Sequence, residues 1–272
     1  MNHLKVCFFL VLTVILLSCS QQEAPPEFYS HKDYELIFEN DPNGITLYFT
    51  GSNYSDDDFR KENGQYRNDG IRILNELFAT PPFSEYREYF NAYIVYINPE
   101  LDADPFDNAP EIVVRELFPN FKETDVVMIS EDNPQFFQGV ASGVVAAFPY
   151  NSRSIMVHEV GHVVGNLADE YSIPEGDYAD YFCDQAPNVD ITNDPNEVKW
   201  SHFIGLEGYE NIDVFLGGCY TTMGAYRAAN NCVMRRGFFF CAPCREGIVK
   251  KIMQVKGLPF NFQEFLAKDI PL

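Results

Sequence analysis

Basic residues are scarce in this chain. Lys+Arg number 19 against Asp+Glu 40, a formal net charge of −21 over 272 residues. Such a balance argues against a nucleic-acid partner, since neutralising phosphates needs clustered Lys and Arg on some face. It argues equally against electrostatic attachment to anionic lipid. Long apolar runs are missing as well. After the first 18 residues no stretch approaches the roughly 20 apolar residues that a membrane-spanning helix needs. There is no internal repeat and no low-complexity block. Histidine is sparse, with 5 in the chain. Core-forming residues, in contrast, are plentiful: 46% of the chain is hydrophobic and 15% aromatic. A mainly disordered chain is thereby excluded.

The N-terminus reads as an address. Lys5 precedes an apolar run from Phe8 to Leu17, interrupted at Thr13. Its length and flanks fit a secretory signal over residues 1–18. The run ends Leu16-Leu17-Ser18-Cys19, similar to the bacterial lipobox, in which the chain is cut before a Cys that is then diacylated. Cys19 is thus the expected lipidation site, and the polar, proline-containing residues 19–30 the expected tether. Residues 31–272 remain for a single domain. The membrane is met only through the lipid, and the expected location is the outer membrane or cell surface.

Export favours disulfides. With Cys7 in the signal and Cys19 under lipid, Cys183, Cys219, Cys232, Cys241 and Cys244 remain. Their number is odd, so at least one stays free or pairs elsewhere. Cys241-Ala-Pro-Cys244 fits either half of a structural zinc site or part of one or two disulfides under the C-terminal region.

The hydrophobic pattern predicts strands at 45–50, 91–98 and 125–130. Ser55-Asp-Asp-Asp58 looks like a capping box that opens a helix carrying Ile71, Leu74, Leu77 and Phe78, with Pro81-Pro82 beyond its end. Residues 139–148 are apolar and contain glycines, which suits an edge strand lying beside a ligand. A helix is expected over 153–166, with Met156, Val160, Val163, Val164 and Leu167 on one stripe and His158 and His162 on the opposite face. Strands and helices alternate to this point, as in an α/β layer. The chain then becomes loop-rich until a helix near 244–256. Between 154 and 198 there are ten acids and no Lys or Arg, and between 227 and 256 seven bases and one acid, Glu246. Two halves of one domain fit this better than two domains.

His158-Glu159-Val160-Gly161-His162 carries the chemistry. Residues i and i+4 of a helix stand about 6 Å apart at Cβ, so both imidazoles can bind one Zn²⁺. Glu159 is turned about 100° from His158 and can reach a water beside the ion without binding the ion. The plain alternative is a surface helix with two His and a Glu, and the opposing apolar stripe speaks against it. A catalytic zinc needs a third ligand and an open position. Gly165 permits a helix-ending turn that brings Asp169 back to the ion, with Glu170 the other candidate.

The segment HEVGHVVGNLADEY resembles the HExxHxxGxLxDEY signature of the IgA-specific metalloendopeptidase family, a branch of the metzincins. The likeness continues through Pro187-Asn188-Val189, Lys199-Trp200, Ile204-Gly205-Leu206-Glu207-Gly208, Gly217-Gly218, Tyr226-Arg227, Asn231-Cys232-Val233-Met234-Arg235 and Cys241-Ala-Pro-Cys244. Pro82-Phe83 and Phe90-Asn91 upstream are also similar, so most of 45–256 is covered. The resemblance implies a metzincin-like α/β fold: a mixed twisted sheet with an active-site helix above a loop-rich lower half. It implies that His158, His162 and Asp169 hold zinc, that Glu159 is the general base, and that Met234 forms the Met-turn beneath the metal. Two departures stand out. Gly51-Ser52-Asn53-Tyr54 replaces the family's Gly-Asp-Gly-Tyr, and little chain precedes the first strand, where many members carry a further domain.

The expected activity is a zinc endopeptidase acting on a protein or peptide. An extended substrate would pair with the strand near 139–148. Tyr226 is the first candidate for a second oxyanion donor and Tyr171 the next. Arg227, Arg235 and Arg236 either line the cleft and favour carboxylate-bearing peptides or neutralise the acidic 154–198 stretch. Asp177, Asp180, Asp184, Asp190 and Asp194 could bind Ca²⁺ through oxygen ligands, without an EF-hand pattern. Two other readings remain open. One is a non-catalytic binding lipoprotein that keeps the fold, for which an intact Glu159 has no use. The other is a thermolysin-like site with a distant ligand such as Glu175.

Overall fold

A computed structural model describes residues 33–60, 64–96, 109–133, 138–173 and 181–271. The expected signal, Cys19 and the tether lie outside the described residues, as do Glu175, Asp177 and Asp180.

Six strands form the main sheet: β1 (Tyr34–Glu39), β2 (Ile45–Ser52), β3 (Phe90–Val95), β4 (Val126–Glu131), β5 (Val140–Ser142) and β6 (Val145–Pro149). Their spatial order is β1-β3-β2-β4-β6-β5. β2 runs parallel to both β3 and β4, and β4 parallel to β6, while β1 and β5 join antiparallel at the two edges. The sheet is therefore mixed and the architecture α/β. Every residue of β2, β4 and β6 is buried. That explains why apolar residues dominate them without strict alternation, because a strand covered on both faces has no polar side to show. β1 is not among the expected strands: its sequence YELIFE is half-exposed and mixes Glu35 and Glu39 with apolar residues, an edge-strand pattern with no strong signal.

The expected glycine-containing strand is in fact a hairpin. β5 turns through Gly143, at φ +57°, into β6. Only β5 is the edge; β6 lies inside the sheet.

The helix expected to start at Ser55 is broken in two. α1 covers Asp56–Arg60, with Ser55 Oγ accepting the Asp58 N–H at 3.2 Å, and α2 covers Gln65–Phe78 behind Gly64. A short cap thus serves a short helix. Leu74, Leu77 and Phe78 are buried as expected. α3 spans Ala109–Leu117.

α4 (Arg153–Gly165) packs between β6 and α6, which spans Ala242–Lys256. Met156, Val160, Val164 and Leu167 are buried, each such side chain contributing about 1.5–3 kcal/mol. The surroundings cover more of α4 than a simple stripe. Val157, Glu159 and Gly161 are buried too, so the His face lies inside a cleft. The turn after α4 differs from expectation in one residue. Asn166, not Gly165, takes the left-handed conformation (φ 50°). The bare Cα of Gly165 serves packing: a Cβ there would lie 2.7 Å from Ile248 Cγ1.

The lower half holds α5 (Tyr181–Gln185) and a small sheet of β7 (Val189–Asp190), β8 (Phe215–Gly218) and β9 (Thr221–Arg227), ordered β7-β9-β8. Its loops are held by single side chains. Lys199 Nζ donates to the carbonyls of Asp184, Ala186 and Val189, and Trp200 Nε1 to that of Asp213. A disulfide joins Cys183 to Cys219, while Cys232, Cys241 and Cys244 are free and buried. Among the described residues no helix is long and apolar enough to cross a membrane.

A last helix, α7 (Phe262–Lys268), follows α6 and was not anticipated. Asp269 at its end meets the buried Arg245 of α6 in two bonds of 2.6 and 2.7 Å. Removing one partner strands the other charge in the interior. Asp269→Ala is therefore expected to cost about 3–5 kcal/mol, read as a lower midpoint in urea unfolding.

Candidate metal centre

α4 sets His158 and His162 one turn apart, with their rings 4.7 Å between centroids. Each ring is aimed by its Nδ1. That of His158 donates to the Val233 carbonyl at 3.0 Å and that of His162 to the Leu167 carbonyl at 2.6 Å. Both acceptors are carbonyl oxygens, so each Nδ1 carries a proton, and each ring in its neutral form presents a lone pair at Nε2. Those two Nε2 atoms lie 3.0 Å apart. Neither can donate to the other in this tautomer.

Asn166 turns the chain back, and Asp169 enters the same space. Its Oδ1 is 2.8 Å from His158 Nε2 and 3.4 Å from His162 Nε2. Despite that proximity, Oδ1 is buried without a hydrogen bond of acceptable geometry. With both rings neutral, three electron-pair donors converge here. The triangle suits a tetrahedral ion: bonds of about 2.0–2.1 Å give edges of about 3.3 Å. Glu159 also stands within 4.8 Å of both imidazoles. Asp169 Oδ1 is the oxygen that approaches both Nε2 atoms without a hydrogen bond of its own.

The electrostatics agree. Burial disfavours charge on His158, but Asp169 overrides it and pushes the imidazole pKa up to about 9. Burial likewise opposes ionisation of Asp169, yet the two imidazoles hold its carboxyl well below the usual range. The pocket favours a cation against a fixed anion. Glu159 is moved the other way: its burial raises its pKa, against the pull of the two histidines. A raised carboxylate is a better base near neutral pH.

Gly139, just before β5, makes room for that carboxylate. A Cβ there would stand 2.2 Å from Glu159 Oε1 and 2.5 Å from Ile155 Cγ2. Gly139→Ala must therefore displace the Glu159 carboxylate. The expected outcome is a Glu159 carboxylate moved by about 1 Å with metal content unchanged, read from a crystal structure of the variant and from elemental analysis.

Beneath α4, Gly161 lets Phe240 and Met234 pack close, its missing Cβ falling 3.1 Å from Met234 Sδ. Met234 is fully buried, and its carbonyl accepts the Glu170 N–H at 2.7 Å. The structure thus brings Met234 under the helix that bears the histidines. Its loop is closed by the Arg235, Arg236 and Gly237 N–H groups, all donating to the Cys232 carbonyl.

A cleft of about 580 Å³ opens over the site. It is bordered by residues 139–143 along β5 and by His158, Glu159, His162, Asp169, Tyr171 and Tyr220. A second cavity of about 450 Å³ continues past His158 and Glu159 to Arg235, Arg236 and Phe238.

Several expected site residues lie elsewhere. Tyr226 sits in β9, paired with Asp190 and Leu216, and borders neither cavity. Tyr171 does border both. Tyr220, which the sequence did not single out, donates its hydroxyl to Asp169 Oδ2. It stands in a pair of left-handed residues, Cys219 (φ 50°) and Tyr220 (φ 64°), next to the disulfide. Arg227 does not line the cleft; it donates to the Leu216 and Gly217 carbonyls and to Asn230. Glu170 turns away from the histidines, towards the three free cysteines. Asp190 and Asp194 accept backbone N–H groups within turns. Among the described residues, the groupings able to hold a metal include neither of them.

No family model matches this chain, and no curated protein matches it.

Proposed function

We propose that the chain is a zinc-dependent endopeptidase that cleaves extended protein or peptide segments in this cleft, within a metzincin-like fold. The observation that carries this reading is the convergence of His158 Nε2, His162 Nε2 and the unsatisfied Asp169 Oδ1 beside a buried, displaced-pKa Glu159. His158, His162 and Asp169 would hold the ion. Bound there, zinc supplies an electrophile that polarises a carbonyl and acidifies water.

The remaining steps belong to the chain's own groups. β5 offers a free edge to an extended peptide, whose backbone would pair antiparallel or parallel along residues 140–142. That pairing lays one peptide bond over α4. Glu159 accepts a proton from the attacking water and returns it to the leaving amine. Tyr171 borders the same cleft, and its hydroxyl is the candidate to steady developing negative charge on the carbonyl oxygen. Tyr220, bonded to Asp169, fixes that carboxylate's orientation, as partners of metal ligands commonly do. Arg235 and Arg236 give the far cavity a positive rim that suits acidic side chains or a free carboxylate on the substrate.

The sequence further supports a place at the cell envelope, anchored through lipid on Cys19. The test is digestion of a peptide library by the purified mature protein, wild type against Glu159→Ala, with mass-spectrometric mapping of the cuts. Internal cuts made only by the wild type support the reading. Equal digestion by both proteins removes it and leaves the non-catalytic binding lipoprotein.

A further inference from the structure

Behind the cleft lies a second convergence of ligand-type atoms. We propose that Cys232, Cys241, Cys244 and Glu170 form a second, closed metal site that takes one zinc-like divalent ion and locks the floor of the first. This does not rest on the peptidase reading, because the ligands are a different set and need no open position.

The geometry favours an ion over a disulfide. Cys244 Sγ lies 3.6 Å from Cys232 Sγ and 3.4 Å from Cys241 Sγ. Glu170 Oε1 is 3.1 Å from Cys244 Sγ and 3.7 Å from Cys241 Sγ. All four ligand atoms fall within 4.8 Å of one another. A tetrahedral zinc with bonds of about 2.3 Å to sulfur and about 2.0 Å to oxygen has S···S edges of about 3.8 Å and S···O edges of about 3.5 Å. The observed separations are close to these edges and well beyond a bonded pair of sulfurs, at about 2.05 Å. A disulfide between any two would also strand the third thiol against a carboxylate.

Burial makes the argument stronger. Glu170, Cys232 and Cys244 are fully buried and Cys241 is 3% exposed. Among the described residues no cationic side chain forms an ion pair with Glu170, and its Oε2 has no hydrogen-bond partner. An interior carboxylate in that state is expensive unless a cation meets it. Three thiolates and one carboxylate carry the same formal charge as the four thiolates of a common structural zinc site. The protein supplies offsets. Cys241 and Cys244 lie at the start of α6, where the helix dipole favours negative charge. The Cys241 N–H points at Cys232 Sγ at 3.4 Å. Asn188 Nδ2 donates to Glu170 Oε1 at 3.0 Å and orients it. Binding would release the thiol protons to solvent.

The position gives the ion a task. Glu170 adjoins Asp169, a ligand of the first site. Cys232 opens the turn that carries Val233, whose carbonyl aims His158, and Met234. One ion would thus pin α6, the Met234 turn and the Asp169 segment to one another.

The test uses the full mature chain prepared without chelator. Elemental analysis of the His158→Ala/His162→Ala double variant should find one equivalent of zinc-class metal, against one more in the wild type. X-ray absorption at the zinc edge should show a sulfur shell at about 2.3 Å. After denaturation in chelator, Cys232, Cys241 and Cys244 should all be alkylated by iodoacetamide, as peptide mapping reads directly. If the double variant does not fold, the wild-type spectrum must still contain the sulfur shell. A spectrum with no sulfur neighbour, or a disulfide among the three cysteines, would overturn the proposal. Neither outcome touches the peptidase reading, which predicts only nitrogen and oxygen neighbours at its own site.

Discussion

Glu159→Gln is expected to lower kcat for peptide hydrolysis by between about a hundredfold and ten-thousandfold, the range that general acid–base groups contribute. Metal content should not change, because the neighbouring His158, His162 and Asp169 remain as ligands. The amide keeps the shape of the carboxylate, and the room left by Gly139 still accommodates it. It loses the basicity, because an amide oxygen does not take up a proton near neutral pH. Stability should hold or rise. Burial lifts the Glu159 pKa above its ordinary value, so the ionised carboxylate is less favourable in the folded chain than in the unfolded one. Above the unfolded pKa that difference opposes folding, and glutamine removes it. The pair of readouts matters. Lost activity with a held melting temperature and a full metal site isolates the proton-transfer role, whereas a parallel loss of metal would make Glu159 a ligand.

Asp169→Ala is expected to weaken zinc binding by more than the about 10–100-fold that outer-shell mutations of metal sites cost, and to abolish activity at low zinc. The carboxylate approaches both imidazoles, at 2.8 Å and 3.4 Å, and its neighbour Glu170 cannot replace it, being directed at the cysteines. The fold should survive the change. The backbone carbonyl of Asp169 still accepts the Cys219 N–H at 2.7 Å, and Asn188 still holds both the N–H and the carbonyl of Ala168. A competition titration with a chromophoric chelator measures the shift. Full retention of affinity would mean that another group completes the triad, Glu159 being the nearest by position.

The helix that bears His158 and His162 was legible because helical periodicity and the spacing of the two imidazoles coincide there. His158 and His162 meet at i, i+4, and the buried Met156, Val160 and Val164 fix which way they face. The central strands were legible for a similar reason, since β2, β3 and β4 are β-branched, aromatic and buried. The return of Asp169 was readable from the helix stop, although the left-handed residue is Asn166. Periodicity says nothing about the rest. Tyr220 reaches Asp169 only through two left-handed residues next to a disulfide, and no local pattern in the sequence marks such a turn. The proximity of Tyr226 to Met234 in the sequence suggested a catalytic place. In the fold β9 carries that tyrosine into a small sheet beside Asp190 instead. Glu170 was read with Asp169 because they are adjacent, yet successive residues of an extended segment point to opposite sides, and it faces the cysteines. The short elements β7 and α7 lack the length that a periodic signal needs, and β1 is a half-exposed edge strand without a buried apolar run.

The central claim is that one divalent ion sits between His158, His162 and Asp169. Anomalous diffraction at the zinc edge, on crystals of freshly purified protein never exposed to chelator, tests it most directly. The account predicts a single strong anomalous peak about 2.0–2.2 Å from both Nε2 atoms and from an Asp169 oxygen, with Glu159 beside it but not bonded to it. A map without anomalous density there, with a protonated imidazole donating to Asp169 in its place, would contradict it.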